Sequence, residues 1–270
     1  MPHAALPLSP RLARRLSGRP FMLLLDVDGT LAPIAPRPEY AVVPPETHQL
    51  LRDFTELPHT FVAVISGRSA EDARRLVCGE DLWVIGNHGI EVAPPNEPPR
   101  VRPEVAHYAQ ALAEANARFT EIAAHESGVL VEDKRWTLSV HHRLAHPRIV
   151  PELVTAVQQI AEANGLRMTR GKEVLEIRPP IDVDKGTAAV ELARTLGALD
   201  AAASLLSAGD DRTDEDAFRA LQAAQPNVVT VRVGADAAAP DTIAEFCVDD
   251  TDGMRELLTA VLAQRRTGVV

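Results

Sequence analysis

The chain has 270 residues, of which 46% are hydrophobic and 24% charged, and it carries a formal net charge of −10 with a pI near 5.4. That length suits one core domain plus a smaller inserted or appended one, and the acidic surface argues against nucleic acid or anionic lipid as partners. No apolar run approaches the ~20 residues of a membrane span, and only Cys78 and Cys247 are present, far apart and outside any metal-ligand spacing, which argues against a disulfide framework or a zinc site.

Residues 1–20 carry Arg11, Arg14 and Arg15 but no long apolar core or small-residue cleavage site, so they read as an N-terminal extension of a cytoplasmic protein. From there, short apolar runs bounded by turn residues alternate with helical patterns. Strands are expected at Phe21–Leu25, Phe61–Ile65, Leu82–Ile85, Leu205–Ala208 and Val228–Val233, and helices at Pro45–Leu57, Ala70–Val77, Lys185–Leu196, Asp214–Ala223 and Gly253–Ala263. This predicts an α/β fold with a Rossmann-like, doubly wound parallel-sheet core.

Between the proline clusters at Pro94–Pro99 and Pro179–Pro180 the pattern changes. A helical stretch over Pro103–His125 precedes strands Val129–Glu132 and Thr137–His142 joined by the charged turn Asp133–Arg135. A helix over Pro147–Ala163 then leads to strands Leu166–Thr169 and Glu173–Ile177. The expected organisation is a core of residues 21–98 and 180–270 with an inserted αββαββ cap domain at 99–179. The alanine-rich stretch Ala235–Ala239 is too short to carry an argument.

The chemistry-bearing residues follow the apolar strands. Asp26 and Asp28 sit at the end of the first run, where open α/β sheets build their sites, and alternation points both the same way. Two such carboxylates suit a hard cation; one can attack phosphorus and the other protonate the leaving oxygen. Ser66, after the second run, can donate to a phosphoryl oxygen while Gly67 allows close backbone approach; equally, Ser66 could cap the next helix. Lys185 at a helix start offers a cation for an anion, or is an ordinary surface lysine. The segment Gly209–Asp216 holds five carboxylates in seven positions, whose repulsion favours a shared cation. Asp210 is the third metal ligand in this reading, and Asp214 orients Lys185 or a metal-bound water.

The order Asp-x-Asp-Gly-Thr, strand-Ser, Lys and Gly-Asp-Asp-x-Thr-Asp resembles the four-motif core of the haloacid dehalogenase superfamily. Ser66-Gly67-Arg68, Gly86-Asn87-His88-Gly89, Glu132-Asp133-Lys134, His141-His142-Arg143, the Glu173–Pro179 segment and Asp214–Phe218 are similar to trehalose-phosphatase signatures. The resemblance implies a magnesium-dependent phosphatase for trehalose 6-phosphate, with Asp26 as nucleophile and Asp28 as acid/base. Asp26, the backbone carbonyl of Asp28 and Asp210 would hold Mg2+. Ser66 and Lys185 would grip the phosphoryl group, with Asp211 and Asp214 completing the acidic shell. Gly67, Arg68, His88, His141, Arg143 and Asp211 would line the substrate, while Glu132, Lys134, Lys172 and Glu176 of the cap would meet sugar hydroxyls, the bland reading of these four being a solvated strand face. Functional coupling to a trehalose-phosphate synthase is the implied partnership. The competing readings are a phosphatase for sucrose 6-phosphate or glucosylglycerate phosphate, a phosphosugar mutase, and a silent sugar-phosphate sensor.

Overall fold

A computed structural model describes residues 3–234 and 241–267; the Ala235–Ala239 stretch lies outside the described residues. The chain divides into two compact units, one running up to Arg100 and resuming at Val183, the other Val101–Asp182.

The first unit is built on Phe21–Leu25 (β2), whose five residues are all buried. Successive strand side chains point to opposite faces. Phe21, Leu23 and Leu25 accordingly enter one apolar cluster with Leu51, Phe54 and Leu257, while Met22 and Leu24 enter another with Ala189, Leu192 and Leu221. A strand apolar on both faces needs cover on both, which is the condition for a doubly wound sheet.

Parallel to β2 run Thr60–Ile65 (β3) and then Trp83–Gly86 (β4) on one side, and Ser204–Gly209 (β11), Val229–Val233 (β12) and Phe246–Val248 (β13) on the other. β13 was not expected, and neither were three further strands. His3–Ala4 (β1) pairs parallel with β13, so residues of the N-terminal segment join the sheet, and Glu91–Ala93 (β5) turns back antiparallel beside β4. With Arg100–Val101 (β6) outermost, the order is β1-β13-β12-β11-β2-β3-β4-β5-β6. Strand order reverses at β2, so the gap at the carboxyl ends of β11, β2 and β3 is a topological switch point, where α/β sheets place ligands.

Among the described residues six helices flank this sheet: Pro10–Arg15 (α1), Pro45–Thr55 (α2), Ala70–Leu76 (α3), Lys185–Thr195 (α6), Arg212–Ala224 (α7) and Thr251–Thr267 (α8). Arg265 of α8 donates to the carbonyls of Leu16 and Gly18 and stacks 4.0 Å from the Phe21 ring centroid, which fastens the N-terminal segment to the core. None of the helices among the described residues is long and apolar enough to cross a membrane.

The second unit packs Ala109–His125 (α4) and Val150–Ala163 (α5) on a four-stranded antiparallel sheet. Its strands are Leu130–Asp133 (β7), Leu138–His141 (β8), Arg167–Arg170 (β9) and Val174–Arg178 (β10), in the order β7-β8-β10-β9. The helical stretch expected from Pro103 opens with a 3-10 segment, Pro103–Tyr108, and becomes α-helical at Ala109. Leu138, Val140, Leu175 and Ile177 bury against Leu112, Phe119 and Val157 of the helices. Period-two alternation then leaves the opposite face of the sheet polar.

Candidate active site

Asp26 follows β2 directly and its backbone N–H donates to the Ala208 carbonyl of β11, which fixes the side chain between two strand ends. The side chain is almost wholly buried. Lys185 opens α6 and is equally buried. Its Nζ lies 2.7 Å from Asp26 Oδ1 and 2.8 Å from Asp214 Oδ1, so the surface-lysine reading does not hold. Asp184 caps that helix through a reciprocal pair with Thr187, which sets where Lys185 begins its turn.

Asp214 stands at the third position of α7 and uses its other oxygen, Oδ2, to accept from the N–H groups of Asp210 (2.9 Å) and Asp211 (3.1 Å). Asp211 is the N-cap of α7, accepting from the N–H groups of Thr213 and Asp214 and from the Thr213 hydroxyl. Both carboxylates therefore help to form the start of α7. Asp210 is pressed against the Asp26–Asp28 turn. A Cβ on Gly29, whose φ is +91°, would fall 2.3 Å from Asp210 Oδ2, so only glycine fits between the two segments.

Asp26, Asp210 and Asp214 can each turn one carboxylate oxygen to within 4.8 Å of the others. Burial is the largest cause of their perturbation. It lifts Asp26 well above the ordinary carboxylate range, Asp210 to about 6 and Asp214 to about 7, with the neighbouring carboxylates adding and Lys185 opposing. Burial disfavours charge on Lys185, but Asp214 and Asp26 outweigh it and hold the ammonium charged. Asp211 goes the other way, to about 2: burial opposes ionisation, but Lys185 and the donors at the helix start overcome it. One ammonium among four carboxylates leaves a deficit of positive charge, and all-oxygen donors of this kind suit a hard divalent cation. The residues therefore fit a divalent metal, with Asp26 and Asp210 offering oxygens that Lys185 does not occupy.

Asp28 points elsewhere. Arg68 Nε and Nη2 donate to its two oxygens at 2.7 and 2.8 Å, so the carboxylate is held in a bidentate pair. The same guanidinium donates to Asp72 Oδ2 at 2.7 Å and to the Pro38 carbonyl at 3.0 Å. Burial alone would lower the Arg68 pKa, but its bonds to Asp28 and Asp72 push it up. Arg68, expected to touch substrate, here pairs with Asp28 and Asp72. Neither Asp72 nor Pro38 was anticipated.

Ser66 follows β3 directly with its N–H bonded to the Ile85 carbonyl, and its hydroxyl accepts from the Arg68 N–H at 3.1 Å. It does not cap α3; Ser69 does. Behind Ser66-Gly67-Arg68 runs a turn of three successive left-handed residues, Asn87 (φ 49°), His88 (φ 55°) and Gly89 (φ 106°). The Asn87 N–H donates to the Arg68 carbonyl and that of His88 to Ser66. Buried Glu91 ties the two segments by accepting from Ala70 N–H and Asn87 Nδ2. The His88 ring lies over Gly67, where a Cβ would come within 2.7 Å of Nε2.

On the polar face of the second unit, Glu132, Ser139, Glu176 and Thr169 stand in register across β7, β8, β10 and β9. Lys134 Nζ is 3.5 Å from Glu176 Oε1 and 3.9 Å from Glu132 Oε2. His141 Nε2 is 2.9 Å from Glu132 Oε2, and the Ser139 hydroxyl donates to Glu176. Burial resists ionisation of Glu132, yet the bond from His141 and the Lys134 charge hold its pKa down. The sheet thus gathers Glu132, Lys134, His141 and Glu176 into one cluster and adds Ser139. Arg143 pairs with Glu173 at 2.8 Å, and Lys172 is exposed in the turn before β10.

A trehalose-phosphatase family profile matches residues 24–252. The chain belongs to the trehalose-phosphatase family. Among its relatives, a trehalose-phosphate phosphatase of Mycobacterium avium is 36% identical over 77% of this chain and 53% of its own length. A protein of Mycobacterium tuberculosis described as an uncharacterized glycosyl hydrolase is 37% identical over 81% of this chain but 16% of its own. The chain therefore spans about half or less of these curated relatives. A solved trehalose-6-phosphate phosphatase related protein superposes with a TM-score of 0.78 at 25% identity, covering 90% of this chain and 97% of that one. The C-terminal domain of the Candida albicans trehalose-6-phosphate phosphatase, 22% identical, covers 97% and 98% with a TM-score of 0.81 and shows the same fold. The family and fold expected from the sequence are those found.

Proposed function

We propose that the chain hydrolyses a phosphorylated disaccharide, trehalose 6-phosphate, through a phospho-Asp26 intermediate with Mg2+ as cofactor. The observation that carries the reading is Asp26 itself: a buried carboxylate at the switch point, one oxygen pinned by Lys185 and the other left for attack. The family match and the relatives named for trehalose-phosphate support the substrate.

In this reading Asp26 Oδ2 attacks phosphorus in line with the sugar oxygen, forming the acyl phosphate as the phosphorus–oxygen bond to the sugar breaks. Asp28, once one of its oxygens leaves Arg68, gives a proton to that oxygen. It then takes a proton from water as the water attacks phosphorus and frees Asp26 and inorganic phosphate. Lys185 and Ser66 hold the phosphoryl oxygens. A cation bound by Asp26, Asp210 and the Asp28 carbonyl would neutralise charge on the carboxylate and phosphate. Glu132, Lys134 and Glu176 supply the dense donors and acceptors that sugar hydroxyls take, and a trehalose-phosphate synthase is the partner that would supply the substrate.

The test is phosphate release from trehalose 6-phosphate against sucrose 6-phosphate, glucose 6-phosphate and glucosylglycerate phosphate, with Asp26→Asn as control. A preference for trehalose 6-phosphate that disappears in the variant is expected. Preference for another sugar phosphate overturns the substrate, and unchanged turnover in Asp26→Asn overturns the intermediate.

A further inference from the structure

Beyond the carboxylates, one cation that the reaction does not use faces the acidic loop. Arg232 lies on β12, opposite Gly209 of β11 in the parallel register, one residue from the start of that loop. Its Nη1 donates to the Asp211 backbone carbonyl at 2.7 Å and lies 3.5 Å from Glu215 Oε1. Glu215 in turn accepts from the Thr242 hydroxyl at 2.6 Å and from the Ile243 N–H at 3.0 Å. Both side chains are largely buried, at 17% and 14% exposure, which screens the pair little from one another.

Resting on the metal reading above, we propose that Arg232 is a positioning residue that presets the Asp210–Asp214 loop for a divalent cation. The Asp211 carbonyl belongs to the peptide that joins Asp211 to Arg212, one residue beyond Asp210. A charge-assisted bond to it therefore restrains the backbone just after Asp210, and with it the loop that carries the Asp210 carboxylate. Glu215, 3.5 Å from the same Nη1 and itself held by Thr242 and Ile243, gives the guanidinium a second anchor beside that carbonyl. Groups one step removed from a metal typically change its affinity 10–100-fold.

The experiment is a Mn2+ titration by electron paramagnetic resonance on the full chain, alongside thermal unfolding in chelator. Arg232→Met, which keeps the aliphatic stem, is expected to weaken Mn2+ binding about tenfold. Arg232→Lys, which retains a donor for the carbonyl, is expected to stay within about threefold of the unaltered chain. Should Arg232→Met fail to fold, Arg232→Gln, whose amide falls short of the carbonyl, carries the same comparison. A folded Met or Gln variant that binds Mn2+ as tightly as the parent overturns the inference and leaves the metal reading standing. No binding by the parent overturns both.

Discussion

Without a divalent cation, the folded chain should lose stability as the pH rises from about 4 to about 7. Asp210 lies at about 6 and Asp214 at about 7, against an ordinary 3.8. Between the ordinary and the raised values the folded state holds protons that the unfolded chain has released, so raising the pH favours unfolding. Asp211 runs oppositely, since its folded-state value is about 2. Its contribution is gained as the pH climbs through 3.8 and is complete before this window opens. At ~1.4 kcal/mol per pH unit, the gap for Asp210 alone corresponds to roughly 3 kcal/mol and that for Asp214 to roughly 4. The two share Lys185 and repel each other, so their effects do not add, and about 3–5 kcal/mol is expected for the cluster. With a urea slope of ~2–3 kcal/mol/M that is a fall of roughly 1–2 M in the midpoint. A bound cation pulls both carboxyls back to ionisation, so saturating Mg2+ should flatten the profile. The assay is urea unfolding by far-UV circular dichroism at several pH values, in chelator and in Mg2+, with Asp210→Asn/Asp214→Asn as comparison. An equal pH slope in parent and double variant would refute the reasoning.

Three shorter predictions follow from named contacts. Lys185→Met leaves Asp26 and Asp214 buried around a missing ammonium and should cost about 3–5 kcal/mol in urea unfolding near neutral pH, with less of that loss under acid conditions where the carboxyls are protonated. Arg68→Met should lower kcat by roughly 10–100-fold with little change in KM, because Arg68 orients Asp28; a rise in KM alone would instead mean that it binds substrate. Glu176→Gln should cut kcat/KM for the disaccharide phosphate about 10–100-fold and leave p-nitrophenyl phosphate hydrolysis unchanged, since its partners Lys134 and Ser139 belong to the second unit.

The residues that sequence reading locates well are those announced by an apolar strand just before them. Asp26, Ser66 and Asp210 each follow such a run, and the buried sheet makes strand ends easy to find. Lys185 begins a helix as its sequence context suggests, but its burial was not legible, because its partners Asp26 and Asp214 are 159 and 29 residues away. The same distance problem hid the role of Arg68, whose partner Asp28 is 40 residues back. Strands of two or three residues such as β1 and β13 carry too few side chains to show a period, and Glu91 reads as a solvent-facing residue until the fold buries it against Ala70 and Asn87. Arg232 left one usable sign: a charged residue inside the otherwise apolar run Val228–Val233, at the strand end where ligands gather.

The left-handed turn at Asn87-His88-Gly89 sets a limit on how this protein could be hardened. Two of its three residues carry a Cβ in a conformation that costs about 1–2 kcal/mol each, and the free energy is retained in a hydrogen-bonded brace behind Ser66 and Arg68. Glycine at Asn87 would relieve that strain while also removing the Nδ2 bond to Glu91. Relief of backbone strain and loss of the Glu91 bond therefore pull in opposite directions at this one turn, and the strained version is the one that keeps the brace behind Ser66 and Arg68 complete.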